Sequence, residues 1–385
     1  MRILFVADGR SPIAQQWIRY WVERGDEVYL ASTFPVEFPY RLAGFCFLPV
    51  AFSSLKKSRE ITRRGLWGAH ALPLRFWLRQ WLGPLTVFRA AALLQEWWQT
   101  VRPAFVHALR IPYEGMVAAL SRPEMPLLVS VWGNDFTLHA RSSPLLAILT
   151  RLTLRRAEAL QTDCRRDLRL AAQWGFDPHR PTLVVPGNGG IDMRLFFPPA
   201  SPPEQPIVLN PRGFRKYVRN DTFFRSIPLV LERKPEARFL CAAMAGEREA
   251  EAWIQRLGIA HAVELLPPRP HPAMADLYRR AQVLVSPSVH DGTPNSVLEG
   301  MACGCFPIVG DLESLREWIT DGVNGLLVDA TNPPDLAEAI VRALSDPALR
   351  EQASRQNAML LAERAEYQHT MLRVLAWYES VLEQH

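Results

Sequence analysis

The 385-residue chain is short of several things, and each shortage removes a class of protein. Its five cysteines, Cys46, Cys164, Cys241, Cys303 and Cys305, are odd in number and scattered. That excludes a disulfide framework, and Cys303-x-Cys305 has neither the spacing nor the histidine neighbours of a zinc or redox motif. Reduced thiols and a cytoplasmic location are the expectation. No run of about 18 apolar residues exists, so no membrane-spanning helix is expected. The start does not read as a leader either, because Met1-Arg2 passes through a short apolar run straight to Asp8. No Asp-x-Asp pair is present to bridge a metal to a diphosphate, so no metal and no bound cofactor are expected. The first β-α-β unit lacks the Gly-x-Gly-x-x-Gly turn of nicotinamide dehydrogenases, and no unit of about 20–50 residues repeats.

Lysine is scarce too: Lys56, Lys57, Lys216 and Lys234 are the only ones, so nearly all of the positive charge is arginine. The net charge of +5 is also local. Between Ser53 and Ala90 eight basic residues face a single acidic one, Glu60, which leaves the rest of the chain slightly acidic. Such a patch favours anionic surfaces or ligands. No nucleic-acid motif accompanies it, and nucleic acid is not an expected partner. Within this stretch Leu74, Trp77, Leu78, Trp81, Leu82 and Leu85 recur at helical spacing, with Arg75 and Arg79 on another face and Gly83-Pro84 breaking the run. The stripe is either ordinary core or an interfacial surface that meets anionic lipid or guides a lipid-linked acceptor. Lys56, Lys57, Arg63, Arg64 and Trp67 would extend that surface. Residues 56–89 are therefore the candidate contact with an anionic membrane, at its inner face.

What the chain does have is alternation. Arg2–Ala7 is an apolar strand, Asp8-Gly9-Arg10 a turn, Ser11-Pro12 a helix start, and Glu27–Ser32 the next strand. Phe105–Leu109, Leu127–Trp132, Ala159–Thr162 and Leu183–Val185 follow as strands between helical stretches. After a proline-rich run the pattern restarts, with strands at Ile207–Asn210, Arg238–Ala242, Val263–Leu266, Gln282–Ser286, Phe306–Val309 and Leu326–Val328. A helical tail begins near Pro333. This predicts an α/β protein of two Rossmann-like, doubly wound domains facing across a cleft. The expected division is 1–197, a Pro-rich linker 198–206, 207–365, and a last helix 366–385 returning to the first domain.

The segment Ser286–Gly304, SPSVHDGTPNSVLEGMACG, follows directly on an apolar strand and opens a helix near Asn295. Ligands of open α/β sheets bind beyond the carboxyl ends of strands, at helix starts. Backbone N–H groups of Asp291-Gly292-Thr293-Pro294-Asn295 at a positive helix end suit a diphosphate. Gly292 permits close approach, and the hydroxyls of Thr293 and Ser296 can add bonds. Glu299, one turn inside the helix, can accept from vicinal hydroxyls such as a ribose, and Asp291 from those of a sugar. Taken as isolated letters, the same segment reads equally as a capped helix with a surface glutamate.

The ordered string resembles the donor-site signature of glycosyltransferase family 4, the retaining enzymes of the GT-B fold. There two acidic residues with seven between them bracket a glycine-containing loop, followed by a Glu-Ala/Gly-Met-Ala-x-Gly helix. Here the pair is Asp291 and Glu299, with aspartate where glutamate is usual. Other stations come in the family's order: Val131-Trp132-Gly133-Asn134-Asp135, Pro186-Gly187-Asn188-Gly189-Gly190-Ile191-Asp192, and Glu317 with Asp321-Gly322-Val323-Asn324-Gly325. The resemblance also implies an arginine and a lysine on the donor diphosphate after the second domain's first strand. Arg212 fits, and Lys216 is the choice for the second, although strict spacing falls on Tyr217. Many relatives carry His-x-His where this chain has His107-Ala108-Leu109. His107, expected to face the cleft, is either a candidate catalytic residue or a hydrogen-bonded strand-end residue, and the second histidine is replaced by Leu109.

The resemblance implies a metal-independent, retaining transfer of a hexosyl unit from a UDP- or GDP-linked sugar to a glycan or lipid-linked acceptor. Asp291, Glu299 and His107 are the catalytic candidates, and Arg212, Lys216, Gly292, Thr293, Pro294, Asn295, Ser296, Glu299 and Arg269 the donor contacts. Gly9 and Asp135 stand on the acceptor side. The rival readings are another GT-B enzyme, such as a sugar epimerase or phosphorylase, and a non-catalytic, membrane-associated relative.

Overall fold

A computed structural model describes residues 1–50, 86–215 and 217–385. The basic aromatic stripe up to Leu85, and Lys216, lie outside the described residues. The chain divides into two compact units, Met1–Gly189 with Met371–His385, and Gly190–Thr370.

The first unit holds a parallel sheet of seven strands: β1 (Arg2–Ala7), β2 (Glu27–Ser32), β3 (Gly44–Phe47), β4 (Phe105–Ala108), β5 (Leu127–Val131), β6 (Ala159–Thr162) and β7 (Thr182–Val184). Their order is β3-β2-β1-β4-β5-β6-β7, so the winding reverses between β1 and β4. Strand residues alternate between the two faces of the sheet. Leu4, Val6, Val106, Ala108, Val129 and Val131 join one buried cluster, against helix α2 (Thr86–Val101) among others. The opposite face meets helix α1 (Pro12–Glu23), whose Trp17 and Trp21 are fully buried.

The second unit repeats the plan with six parallel strands: β8 (Ile207–Asn210), β9 (Arg238–Cys241), β10 (Val263–Leu265), β11 (Val283–Ser286), β12 (Phe306–Gly310) and β13 (Leu326–Val328). Their order is β10-β9-β8-β11-β12-β13, and the winding reverses between β8 and β11. Alternation again splits the core. Val208, Phe239, Val283, Val285 and Ile308 fill one side, and Leu209, Leu240, Leu284 and Val309 the other.

The unit boundary falls at Gly189–Gly190, ahead of the proline-rich run that composition marks as the divide. The reason is burial: Ile191 and Phe196 are nearly inaccessible and belong to the core of the second unit. The Ile191 N–H also donates to the Ala365 carbonyl at 2.7 Å, and the Ile191 carbonyl accepts from the Tyr367 N–H at 3.0 Å. The helical tail resolves into three helices, Pro333–Ser345, Pro347–Arg364 and Tyr367–Glu383, and from Met371 onward its residues belong to the first unit. Among the described residues no helix is long and apolar enough to cross a membrane.

Candidate functional site

Two loops leave neighbouring strands at the reversal point of the second sheet, Pro211–Arg219 after β8 and Pro287–Pro294 after β11. They are laced together. The Val289 N–H donates to the Tyr217 carbonyl at 3.0 Å and the Arg219 N–H to the Pro287 carbonyl at 2.9 Å. Asn210, the last residue of β8, accepts from the Arg212 N–H at 3.2 Å and donates to Asn220 at 3.2 Å, which shapes the turn. This arrangement brings Arg212 to Asp291. The guanidinium Nη1 lies 3.0 Å from Asp291 Oδ2, and both side chains are about nine-tenths buried. Burial pulls the Arg212 pKa down, but Asp291 and Tyr217 outweigh it and the net shift is upward. The cation is therefore held ready-charged in a partly dry place. Ser314 Oγ donates to the Asp291 carbonyl at 2.7 Å and fixes the loop from the far side.

Helix α3 (Asn295–Ala302) begins where the sequence indicates. The Val297 and Leu298 N–H groups bond back to the Pro294 carbonyl, at 2.9 and 3.3 Å, so the helix start lies directly after the Asp291–Pro294 loop. Thr293 Oγ1 accepts from the Trp318 indole at 2.9 Å. Four polar atoms here, Ser286 Oγ, Ser288 Oγ, Asn295 Oδ1 and Ser296 Oγ, are buried and have no hydrogen-bond partner among the described residues. Buried polar groups are normally satisfied by protein, water or ligand, and these atoms are open to such partners. A hollow of about 430 Å³ lies beside it, lined by Ser288, Asp311, Leu312 and Asp329 among others.

Glu299 is 5% exposed. One carboxylate oxygen lies 2.7 Å from His271 Nε2, and the other accepts from the Tyr278 hydroxyl at 3.1 Å. Burial, then the Glu299 charge, drive the Tyr278 pKa far upward, so this phenol is a permanent donor. Each carboxylate oxygen keeps a further lone pair. His271 and Tyr278 both come from the helix His271–Arg280, and nothing in the letters links them to Glu299 across that separation. Trp318 and Ser314 were equally invisible. Arg269 lies in the exposed stretch before that helix. Gly292 and Pro294 are buried in the loop itself.

In the first unit His107 is found as the hydrogen-bonded strand residue, one of the two alternatives the sequence leaves open. His107 does not face outward: its side chain is fully buried. Val106 and Ala108 occupy one face of the sheet, so alternation sends His107 to the other, under α1 and the last helix. There Nδ1 sits 2.6 Å from the Tyr378 hydroxyl and Nε2 2.9 Å from Ser130 Oγ, among Phe5, Trp17 and Trp377. Burial lowers its pKa to about 3, so the imidazole is neutral at pH 7. Asp135 is likewise a buried brace, accepting from Arg110 Nε at 2.9 Å and from the Ile111 and Trp132 N–H groups at 3.2 Å. Gly9 donates its N–H to Ser32 Oγ, and a Cβ there would come within 2.6 Å of Val36, so the turn requires glycine. Asp163, Cys164 and Asp167 come within 4.8 Å of one another, but Arg166 bonds Asp167 at 2.9 Å and supplies the positive charge at that cluster.

Comparison with known proteins finds family matches over both units. Residues 9–187 match the family described as glycosyl transferase 4-like domain, and residues 193–358 match glycosyl transferases group 1. The two matched ranges meet near the boundary between the units. The chain belongs to the GT-B glycosyltransferases of the family 4 type. Among its relatives, the D-inositol 3-phosphate glycosyltransferase of Kribbella flavida is 31% identical over 201 residues, 47% of each chain. That of Thermobispora bispora is 28% identical over 225 residues, 54% of this chain and 52% of its own. The matches thus span about half the length of these relatives. In fold, a sucrose-phosphate synthase from Thermosynechococcus elongatus superposes with a TM-score of 0.78 over the whole of both chains at 16% identity. Anabaena HepE, solved with UDP-glucose, gives 0.71 over 99% of this chain and all of its own, at 15% identity.

Proposed function

We propose that this chain transfers a hexosyl unit from a nucleotide-diphosphate sugar to a hydroxyl of a glycan or lipid-linked acceptor, with retention and without a metal. The observation that carries the proposal is the buried Arg212–Asp291 pair beside the α3 start, with buried polar atoms that lack a protein partner in the same loop and helix. Breaking the glycosidic bond leaves negative charge on the diphosphate. Arg212 and the N–H groups of the helix start receive that charge in this reading, where a low dielectric strengthens their effect. Glu299, oriented by His271 and Tyr278, accepts from the ribose diol with its remaining lone pairs. Asp291 keeps Arg212 in place and accepts from a hydroxyl of the transferred sugar. Lys216 adds a second cation to the diphosphate, and Arg269 stands toward the base.

The leaving diphosphate oxygen takes the acceptor's proton as the new C–O bond forms on the face the nucleotide leaves, so no separate protein base is required. UDP is the favoured nucleotide, because several structural neighbours are complexes with UDP or UDP-glucose. The first unit holds the acceptor. The Lys56–Arg89 segment brings the enzyme to an anionic membrane on the cytoplasmic side. Calorimetry with UDP-glucose tests the donor site. Arg212→Gln and Glu299→Gln should each weaken binding at least tenfold while the protein stays folded, and unchanged binding would sink the assignment. A chelator should leave transfer intact; a strict need for Mg²⁺ would overturn the metal-free mechanism.

A further inference from the structure

Two side chains from the stretch after β12 hold the Asp291–Pro294 loop. Ser314 Oγ donates to the Asp291 carbonyl at 2.7 Å, and the Trp318 indole donates to Thr293 Oγ1 at 2.9 Å. Ser314 is fully buried and Trp318 is 5% exposed, so bulk water does not compete for either bond. The stretch is irregular. It makes one tight turn over Leu315–Glu317, runs on through Trp318 and Ile319, and reaches β13 by a second turn that ends at Gly325.

Asn324 organises that second turn. Its Oδ1 accepts from the Thr320 N–H at 2.7 Å, and its Nδ2 donates to the Trp318 carbonyl and to Asn357 Oδ1, each at 2.9 Å. Asn357 Nδ2 returns a bond to the Asn324 carbonyl at 3.0 Å. Asn357 belongs to the helix Pro347–Arg364 and is fully buried. A wholly buried amide is costly unless its groups are paired, and here Asn324 meets both ends of it. The same helix sends Arg364 to the Glu317 carbonyl at 2.7 Å, with its guanidinium 4.5 Å from the centre of the Trp318 ring. Trp318 is thus held at its carbonyl and over its ring, with Leu315 and Ile319 beside it in the core. A polar network satisfied in this way fixes one orientation of the side chains it joins.

An indole N–H can only donate, so Thr293 Oγ1 is the acceptor in its bond with Trp318 and the hydroxyl proton is turned away from the ring. We propose that Trp318 is a positioning residue of the donor site. Set by the Asn324–Asn357 pair, it orients the Thr293 hydroxyl to donate to a phosphate oxygen of the nucleotide diphosphate at the α3 start. This rests on the transferase reading above. The ligand meets Thr293, and Trp318 acts only through it.

The test follows UDP binding to the full chain by calorimetry, for Thr293→Val, Trp318→Phe and the double variant, with thermal unfolding in parallel. Thr293→Val keeps the shape and removes the hydroxyl; it should weaken UDP about fivefold, and Trp318→Phe about three- to fivefold. Thr293→Ser, which retains the hydroxyl, should stay within about twofold of the native chain. The double variant should match Thr293→Val to within about 1.5-fold, because Trp318 then has no hydroxyl left to orient. A ring that only fills the core would instead lower affinity by the same factor whichever residue stands at position 293. Losses that multiply in the double variant, or native UDP affinity in Trp318→Phe, would overturn the proposal. If Trp318→Phe does not fold, replacing Trp318 by 3-benzothienylalanine, which keeps the outline and lacks the N–H, carries the same comparison. Absence of UDP binding in the native chain would defeat the donor reading and this proposal with it, whereas native UDP binding with multiplying losses defeats this proposal alone.

Discussion

His107 offers the sharpest physical prediction, because its environment fixes both a sign and a size. The imidazole is fully buried, bonded to Tyr378 and Ser130, and its pKa falls from 6.5 to about 3 through desolvation. The unfolded chain takes up a proton below about 6.5 and the folded one does not. The stability His107 contributes is therefore present above pH 6.5 and is lost as pH falls toward 3. At pH 5 the difference amounts to about 1.5 pK units, or about 2 kcal/mol. His107→Gln keeps a donor and an acceptor at the site but cannot titrate. Hydrogen exchange of the β4 amides, corrected for intrinsic rates, measures the opening free energy of this unit at pH 5 and pH 8. The native chain should lose about 2 kcal/mol more than the variant over that interval. Parallel losses in the two proteins would mean that the imidazole is reachable by protons, and the assignment of His107 to the core would be wrong.

Glu114 should behave with the opposite sign. Its folded pKa, raised from 4.5 to about 7, gives stability that is complete below pH 4.5 and disappears as pH rises through 7, worth about 3 kcal/mol by pH 8. Glu114→Gln should accordingly gain on the native protein between pH 4 and pH 8 in the same exchange experiment, at amides of β1 and β4. Removing one partner of the buried pair in Asp291→Ala leaves Arg212 uncompensated and should cost about 3–5 kcal/mol of the second unit's stability, whereas replacing an exposed pair such as Arg316–Asp311 should cost under about 1 kcal/mol. Urea unfolding of the three proteins checks the contrast. His271→Asn should raise KM for the donor about fivefold with little change in kcat, since it orients Glu299 without touching the reacting bond; an equal fall in kcat would assign it a part in the transition state. Gly310→Ala would bring a Cβ within 2.3 Å of the Ser288 carbonyl and should displace the donor loop, seen as weakened UDP binding.

Much of the architecture was legible in the letters. Short β-branched and apolar runs bounded by glycine and proline located nearly every strand to within about two residues, because a strand buried on both faces leaves that composition. The donor segment was legible for a related reason: Asp291, Gly292 and Glu299 sit in one continuous strand–loop–helix, so local spacing already determines their placement. Arg212 could be named through the family resemblance, which places an arginine after this strand. Its ion pair with Asp291 could not, since that depends on β8 and β11 becoming neighbours.

What the sequence by itself determined was the alternation, the division into two wound sheets and the local chemistry of the Ser286–Gly304 segment. Each is written within a few residues of itself. The tertiary structure decided the rest. The packing of β4 beneath the last helix made His107, readable from the letters as cleft-facing or as a hydrogen-bonded strand end, a neutral buried residue bonded to Tyr378. The burial of Ile191 and Phe196 moved the unit boundary ahead of the prolines. The helix at His271 supplied Glu299 with the partners that orient it, and the turn Ile111–Gly115 carried Glu114 to Thr33. In each case the deciding contact joins residues far apart in the chain. Which of them meet is set by packing, and packing is a property of the folded whole.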